Sequence, residues 1–196
     1  MNARLMILLT VLVLNTATAV AADEISEQEA SLLALVLRQV YTDGGYTVVT
    51  PEAALSHMDT GSQEEIAQYK QYLEEEFRLN GVEVGPLVGR LLERNKTTVP
   101  LTIPSNQEQG YLVDYDGKFS NYFEEDGGGW EKWYEENPLA HGSTTISVPV
   151  YDEDSGHIMF YMGTQSHWML GSGWIILLSY IDGKLTEVTR VMIWIS

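Results

Sequence analysis

The side chains most able to bind a ligand are concentrated in one glycine-rich segment, residues 163–173. Four of its residues carry groups typical of binding sites: Gln165, Ser166, His167 and Trp168. We predict that these four form a ligand-binding site, in which Gln165 and His167 hydrogen-bond a ligand that stacks on Trp168. The alternative is a long hairpin connection with Trp168 and Met169 folded back onto nearby aromatic residues. Pattern alone seldom identifies a site, so the hairpin interpretation is favoured and both stay open.

A hydrolase is the alternative function that these residues suggest. It would use His167 with a carboxylate as general acid and base. The carboxylates considered for this role are Asp114, Glu131 and Asp152. Serine catalysis is disfavoured, because neither Ser166 nor Ser172 lies in the Gly-x-Ser-x-Gly turn that exposes a nucleophile. We therefore favour a protein without catalytic residues.

Metal binding is weakly indicated. No two histidines lie four residues apart, so the helical zinc pattern is missing. The acidic turn at residues 152–157 offers several oxygens to Ca²⁺, but it lacks the length and the closing glutamate of an EF-hand loop. A solvated hairpin is the favoured interpretation of this turn. The sequence predicts neither a metal nor another cofactor.

Aromatic side chains recur between residues 118 and 136. Those at spacings of three and four are Phe119, Tyr122, Trp130, Trp133 and Tyr134. They could line a groove for a sugar or a peptide. At helical spacing such rings more often form a core, with the indole N–H groups reaching the surface.

The first 22 residues have the pattern of a secretory signal peptide. Arg4 precedes an apolar run of ten residues, 5–14, and small residues follow before the acidic start at Asp23. This pattern predicts cleavage after Ala21 or Ala22 and a periplasmic or secreted protein. Residues 23–196 are then expected to form one domain.

Net charge and cysteine content limit the classes of partner and of chemistry that this protein can have. The chain has no cysteine, which excludes disulfides and thiol catalysis and favours a bacterial protein. Its formal net charge is −17, and removing residues 1–22, with Arg4 as their one charged residue, leaves −18. Such a charge repels phosphate backbones and anionic headgroups, so we expect no nucleic-acid partner and no binding to a membrane surface. Without cysteine there is no lipid-anchored cysteine after the signal peptide, so we expect no membrane anchor. A basic protein partner remains compatible with it.

Local patterns predict helices first and strands last. Capping boxes begin at Ser26 and Ser62, each with a glutamate three residues later. Apolar periodicity predicts helices over residues 27–41, 63–79, 86–95, 118–125 and 129–136. Residues 96–110, with two prolines and many polar groups, predict an extended surface segment.

Strand patterns place a sheet at the end of the chain. Alternating or continuous apolar runs predict strands at residues 46–50, 111–114, 144–151, 158–163, 174–181 and 188–195. Asp182-Gly183 is the clearest hairpin turn. The fold predicted is α+β, with N-terminal helices packed on one face of a C-terminal, four-stranded antiparallel meander.

The segment from Gly128 to Ser196 resembles a set of uncharacterised exported bacterial proteins whose last strand ends in Trp-Ile-Ser or a close variant. The matching stretches are residues 128–134, 137–138, 146–147, 162–165, 171–174, 177–178, 182–184 and 191–196. The resemblance implies export and an α+β fold, and it implies no reaction. In that set two cysteines bracket the loop after the glutamine, where this chain has Ser166 and Leu170.

These observations together favour a non-enzymatic cell-envelope protein that binds a protein partner or a small ligand. One specific version is an immunity or inhibitor protein whose acidic surface neutralises a basic toxin or enzyme, since complementary charge speeds encounter. The alternative is the envelope hydrolase that uses His167.

Overall fold

The computed structural model describes residues 24–40, 44–56 and 62–196. Its helices are α1 (Glu27–Val40), α2 (Gln63–Leu79), α3 (Leu87–Arg94) and α4 (Gly129–Glu136). Two 3₁₀ helices are Gln107–Gln109 and Ser120–Phe123. Its strands are β1 (Tyr46–Val49), β2 (Glu52–Ala53), β3 (Val99–Pro100), β4 (Tyr111–Val113), β5 (Ala140–Ile146), β6 (Val150–Asp152), β7 (His157–His167), β8 (Leu170–Ile181) and β9 (Lys184–Ile195). The α+β class is confirmed, whereas the predicted signal peptide, residues 1–22, lies outside the described residues.

The main sheet has seven strands and is mixed. Its order is β4-β1-β5-β7-β8-β9, and β6 pairs with β7 beside this path. From β5 onward the neighbours are antiparallel, but β1 is parallel to both β4 and β5. The small β2–β3 pair forms a separate antiparallel ribbon.

The predicted four-stranded antiparallel meander is therefore wrong in extent and in type. The hairpins of β7, β8 and β9 were recognisable because short turns join them. The parallel pairs of β1 join residues 64 and 95 positions apart, as in Val49↔Val113 and Val49↔Thr144. Parallel strands need such long crossovers, and no local pattern reports them. Helix α4 also lies between β4 and β5, so the helices are not all N-terminal.

Helices cover both faces of the sheet, rather than the one face predicted. On β7, Ile158 and Phe160 belong to the cluster that contains the buried side of α1. The alternating residues Met159 and Tyr161 belong to the cluster formed with α2 and α3. Successive strand residues point to opposite faces, so each face has its own helical layer. Trp174–Ile181, predicted as a central strand from its continuous apolar run, lies between β7 and β9 as expected.

Two local predictions also need correction. Residues 96–110 are not simply a surface segment, because Val99, Leu101 and Ile103 are buried in the cluster of α1. Their alternate spacing is a strand signal that the intervening prolines obscured. The strand predicted over residues 144–151 is two strands, β5 and β6. It breaks beside Pro149, which has no N–H to donate to a ladder.

Candidate functional site

The predicted binding segment is a tight hairpin rather than an eleven-residue loop. β7 and β8 pair from His157↔Ser179 to His167↔Leu170, and only Trp168 and Met169 remain in the turn. The hairpin therefore brings the predicted site residues together at its tip. Some of these side chains form hydrogen bonds within the hairpin, and others are exposed to solvent.

The glycines that suggested a loop lie within strands β7 and β8, where they leave room for aromatic rings. Gly163 and Gly173 are directly paired across β7 and β8. A Cβ atom at Gly173 would lie 2.0 Å from Nε1 of Trp194, and one at Gly163 would lie 2.2 Å from the hydroxyl of Tyr161. These glycines let two aromatic rings lie directly on the strands, where Trp194 Nε1 donates to the Tyr161 hydroxyl at 2.8 Å.

Gln165 and Ser166 use their polar groups inside the hairpin. The Gln165 side-chain amide donates to the carbonyl of His167. The Ser166 hydroxyl donates to the carbonyl of Leu170 at 3.1 Å. From α4, the hydroxyl of Tyr134 donates to the carbonyl of Ser166 at 2.8 Å. These bonds brace the turn, so these two predicted ligand contacts are positioned to hold its shape.

His167 is exposed and lies near one carboxylate of the hydrolase hypothesis. Its Nε2 is 3.8 Å from Glu131 Oε1, beyond hydrogen-bond distance, and the two side chains are 48% and 75% exposed. Asp152 lies opposite His157 in the β6–β7 ladder, at the other end of β7. His157 is ten residues, or about 33 Å along the strand, from His167. Asp114 follows β4, three strand positions from β7. This geometry places no buried acid–base pair at His167.

Trp168 is part of an exposed apolar surface. It is 60% exposed, Met169 81% and Leu170 62%. Ile195, 73% exposed, extends the surface because β9 ends beside the start of β8, with Ser172↔Ile195 in register. We call these four residues, Trp168, Met169, Leu170 and Ile195, the apolar tip. Sequence analysis did not single out Leu170 or Ile195 as site residues.

Trp168 folds back only in part, and Met169 is 81% exposed, whereas the hairpin interpretation expected both side chains to fold back onto the aromatic residues. Its ring meets that of Phe123 edge-on, with 5.5 Å between the centroids. A Cβ atom at Gly129, the start of α4, would lie 3.3 Å from the Trp168 ring. One side of the indole is therefore fixed, while more than half of it faces solvent.

Acidic side chains border the apolar tip. Phe123 and Gly129, which both contact Trp168, are the ends of a short connection that carries Glu124, Glu125 and Asp126, all exposed. Glu131 adds a fourth carboxylate near His167. The tip thus presents apolar groups with negative charge beside them.

The predicted aromatic set packs mainly as a core cluster, and Phe119, Tyr122 and Trp133 also line a cleft. Trp130 and Trp133 are each 4% exposed and pack with Tyr46, Val48 and Ala140. Phe119, Tyr122, Phe123 and Tyr134 are partly buried against this cluster. The helix predicted over residues 118–125 is only the 3₁₀ helix Ser120–Phe123.

The other predicted chemistry finds little support in the geometry. The Ser172 hydroxyl accepts a hydrogen bond from Trp174 Nε1 at 2.9 Å. In the acidic turn, Asp152 pairs with Arg90 at 2.8 Å and accepts a hydrogen bond from the Ser155 hydroxyl. Among the residues that the structure describes, no three histidine or carboxylate side chains are grouped so as to hold a metal ion. Across the same residues, no helix has the length and apolarity needed to cross a bilayer.

Comparison with known proteins adds no further assignment. No family model, no curated protein and no solved structure matches this chain. The resemblance of Gly128–Ser196 to exported bacterial proteins stays a prediction, as does the assignment of residues 23–196 to one domain.

Proposed function

We propose that the protein is exported to the bacterial periplasm or medium and binds a protein partner there through the apolar tip, without catalysing a reaction. Export is supported by the charged, apolar and small-residue order of residues 1–22. The observation that carries partner binding is the exposure of Trp168, Met169 and Leu170 at a two-residue turn.

The residue types in this turn support binding. Neither Trp168 nor Met169 has a positive φ, so this turn does not need the Asn, Asp or Gly that positive φ favours. Its backbone does not call for large apolar side chains either, and their exposed apolar area is unfavourable in water. Tryptophan is enriched among the residues that dominate interface energies, so Trp168 is the expected anchor.

The hairpin is also prepared for binding. The bonds of Gln165, Ser166 and Tyr134 hold the turn, and contact with Phe123 fixes one side of Trp168. A side chain that is already positioned loses less conformational entropy when a partner covers it. This supports insertion of the apolar tip into a preformed groove.

Charge indicates what borders that groove. Glu124, Glu125 and Asp126 adjoin the tip, and the whole chain carries −17. A partner with an apolar groove bordered by lysine or arginine fits both features, and opposite charge would speed the encounter. An immunity or inhibitor protein that neutralises a basic enzyme or toxin is the specific role that this surface suits best.

The test is co-purification from bacterial envelope extract with mass spectrometry, using matched leucine variants. Leu170 lies in the tip and is 62% exposed, and Leu79 at the end of α2 is 66% exposed. We expect one protein to be retained by the wild type and by Leu79→Ala, with recovery at least about tenfold lower for Leu170→Ala. Recovery should also fall as salt increases.

Two results would contradict the proposal. One is equal recovery of every retained protein by Leu170→Ala and Leu79→Ala. The other is the absence of any protein retained by the wild type above a tag-only control. Thermal melts of both variants supply the folding control, because neither leucine is buried.

A further inference from the structure

A second site lies away from the apolar tip, in a cleft beside the parallel end of the sheet. The cleft has a volume of about 560 Å³, within the range of small-molecule sites. It opens between β1, β4, the 3₁₀ helix Ser120–Phe123 and α4. Five aromatic rings contribute to its walls: Tyr46, Tyr115, Phe119, Tyr122 and Trp133.

A buried carboxylate shares the cleft with these rings. Asp114 lines the cleft and is only 6% exposed. Its Oδ1 accepts the backbone N–H of Phe119 at 3.1 Å, and within the described part of the chain it forms no salt bridge. Burying an ionised carboxylate costs free energy unless an opposite charge accompanies it.

Lys118 compensates Asp114 only weakly. It also lines the cleft, but it is 80% exposed and its Nζ pairs with Asp116 at 2.6 Å. The hydrogen bond and the charge of Asp116 raise the pKa of Lys118, and Asp114 adds to this as the smallest cause. The carboxylate inside the cleft therefore remains available to a cationic ligand.

The polar groups of the aromatic walls are mostly engaged with the protein. The Tyr46 hydroxyl donates to Asn137 Oδ1 at 2.9 Å, and the Tyr122 hydroxyl donates to Glu136. The Tyr115 hydroxyl donates to the carbonyl of Ile103 at 2.6 Å. These tyrosines thus offer ring faces rather than hydroxyl donors to a ligand.

The amide and hydroxyl beside them are engaged too. Asn137 Nδ2 donates to the carbonyl of Trp133 at 3.1 Å. The hydroxyl of Ser105 accepts the backbone N–H of Val113 at 2.9 Å. One buried donor is left, because Trp133 Nε1 has no hydrogen-bond partner among the described residues.

We propose that this cleft binds a small organic cation with an N-alkylated ammonium head. Aromatic faces attract such a head through their quadrupoles, and Asp114 supplies the opposite charge. The same cluster already receives a cation, since Lys132 Nζ lies 5.9 Å from the centroid of the Tyr122 ring. This site would function independently of the apolar tip.

Isothermal titration calorimetry with choline tests the proposal. The comparison ligand is 3,3-dimethylbutan-1-ol, which keeps the shape and the hydroxyl of choline but has no charge. On the wild-type protein we expect choline to bind at least about tenfold more tightly than this alcohol, the contribution of a desolvated cation–π contact with a carboxylate. Equal binding of the two ligands, or no binding of choline, would overturn the proposal.

A matched pair of variants locates the binding site. Asp114→Asn removes the charge but keeps an oxygen that can accept the Phe119 N–H, and Asp154→Asn removes one charge from the exposed β6–β7 turn. We expect choline affinity to fall about tenfold in Asp114→Asn and to stay within about twofold in Asp154→Asn. Equal effects of the two variants would also overturn it. If Asp114→Asn does not fold, the ligand comparison on the wild type decides.

Discussion

The two turns that flank β8 are built from opposite kinds of residue. At its far end, Asp182 and Gly183 reverse the chain with φ angles of 51° and 76°, the conformation that Asp-Gly turns adopt readily. At its start, Trp168 and Met169 reverse the chain and expose large apolar groups. The backbone of the first turn accounts for its residues. Trp168 and Met169 have no positive φ, so the backbone of the second turn neither requires nor excludes large apolar residues, and we propose that a partner covers them.

The largest expected change in the free energy of unfolding tests whether Trp168 is part of the core. Trp133 is 4% exposed, and replacing a buried tryptophan by alanine typically costs about 3–5 kcal/mol. We expect Trp133→Ala to lose that much in urea denaturation, and Trp168→Ala to lose less than about 1 kcal/mol because it is 60% exposed. Similar losses for the two variants would make Trp168 a structural residue and remove the contrast between the turns.

The second effect concerns the Asp182-Gly183 turn. Gly183 has a φ of 76°, and a Cβ atom added there would meet open space, so Gly183→Ala adds only backbone strain. We expect a loss of about 1–2 kcal/mol in the free energy of unfolding. Gly89→Ala, within α3, is the matched control and should gain about 0.5–1 kcal/mol. Neither substitution should change partner recovery, and a change in recovery with Gly183→Ala would link this turn to binding.

A third experiment exchanges the residue types of one turn for those typical of the other. The double variant Trp168→Asn with Met169→Gly places turn-forming residues at the tip. We expect the free energy of unfolding to change by less than about 1 kcal/mol, since both original side chains are mostly exposed. Partner recovery should nevertheless be lost. Retained recovery would show that the apolar side chains of this turn are not the contact.

The last prediction concerns a residue outside both turns, Glu29, whose charge contributes to the free energy of unfolding. Partial burial acts to raise the pKa of Glu29, but hydrogen bonds from Arg94 and Ser26 and the charge of Arg94 outweigh it, so the pKa lies below its ordinary value. Because the folded-state pKa is lowered, ionised Glu29 stabilises the fold above the unfolded pKa of about 4.3, and this contribution is lost as pH falls through the folded pKa.

Glu29→Gln should therefore destabilise the protein by about 1 kcal/mol at pH 7. The difference from the wild type should shrink as the pH falls below about 4.3 and reach zero only below the folded-state pKa of Glu29. Urea denaturation across this pH range measures both quantities. A difference that stays constant across this range would show that the charge of Glu29 is not what stabilises α1 against α3.

Sequence reasoning succeeded where neighbouring residues determine the structure. Ser62 and Glu65 form the predicted capping box, and α2 has the predicted bounds, Gln63–Leu79. Asp182-Gly183 forms the predicted hairpin. The parallel pairing of β1 was missed, because it depends on residues far along the chain and carries no local signal.

The candidate sites were predictable only in part. The sequence located the hairpin of Gln165–Trp168. Which of its polar groups form hydrogen bonds within the protein depends on partners such as Tyr134, and residue spacing does not predict these. A signal for the tip was present, since two large apolar residues, Trp168 and Met169, stand together in a segment rich in glycine and polar residues. Asp114 was named as a carboxylate of interest, yet the aromatic walls around it come from elements far apart in sequence.

The central claim is that the apolar tip is covered by a partner protein in the bacterial envelope. Site-specific photo-crosslinking in living cells tests it most directly, with benzoylphenylalanine at Met169 and, as the matched exposed control, at Leu79. We predict a discrete adduct with one envelope protein at position 169 and none at position 79. No adduct at 169, or the same adducts at both positions, would contradict the claim.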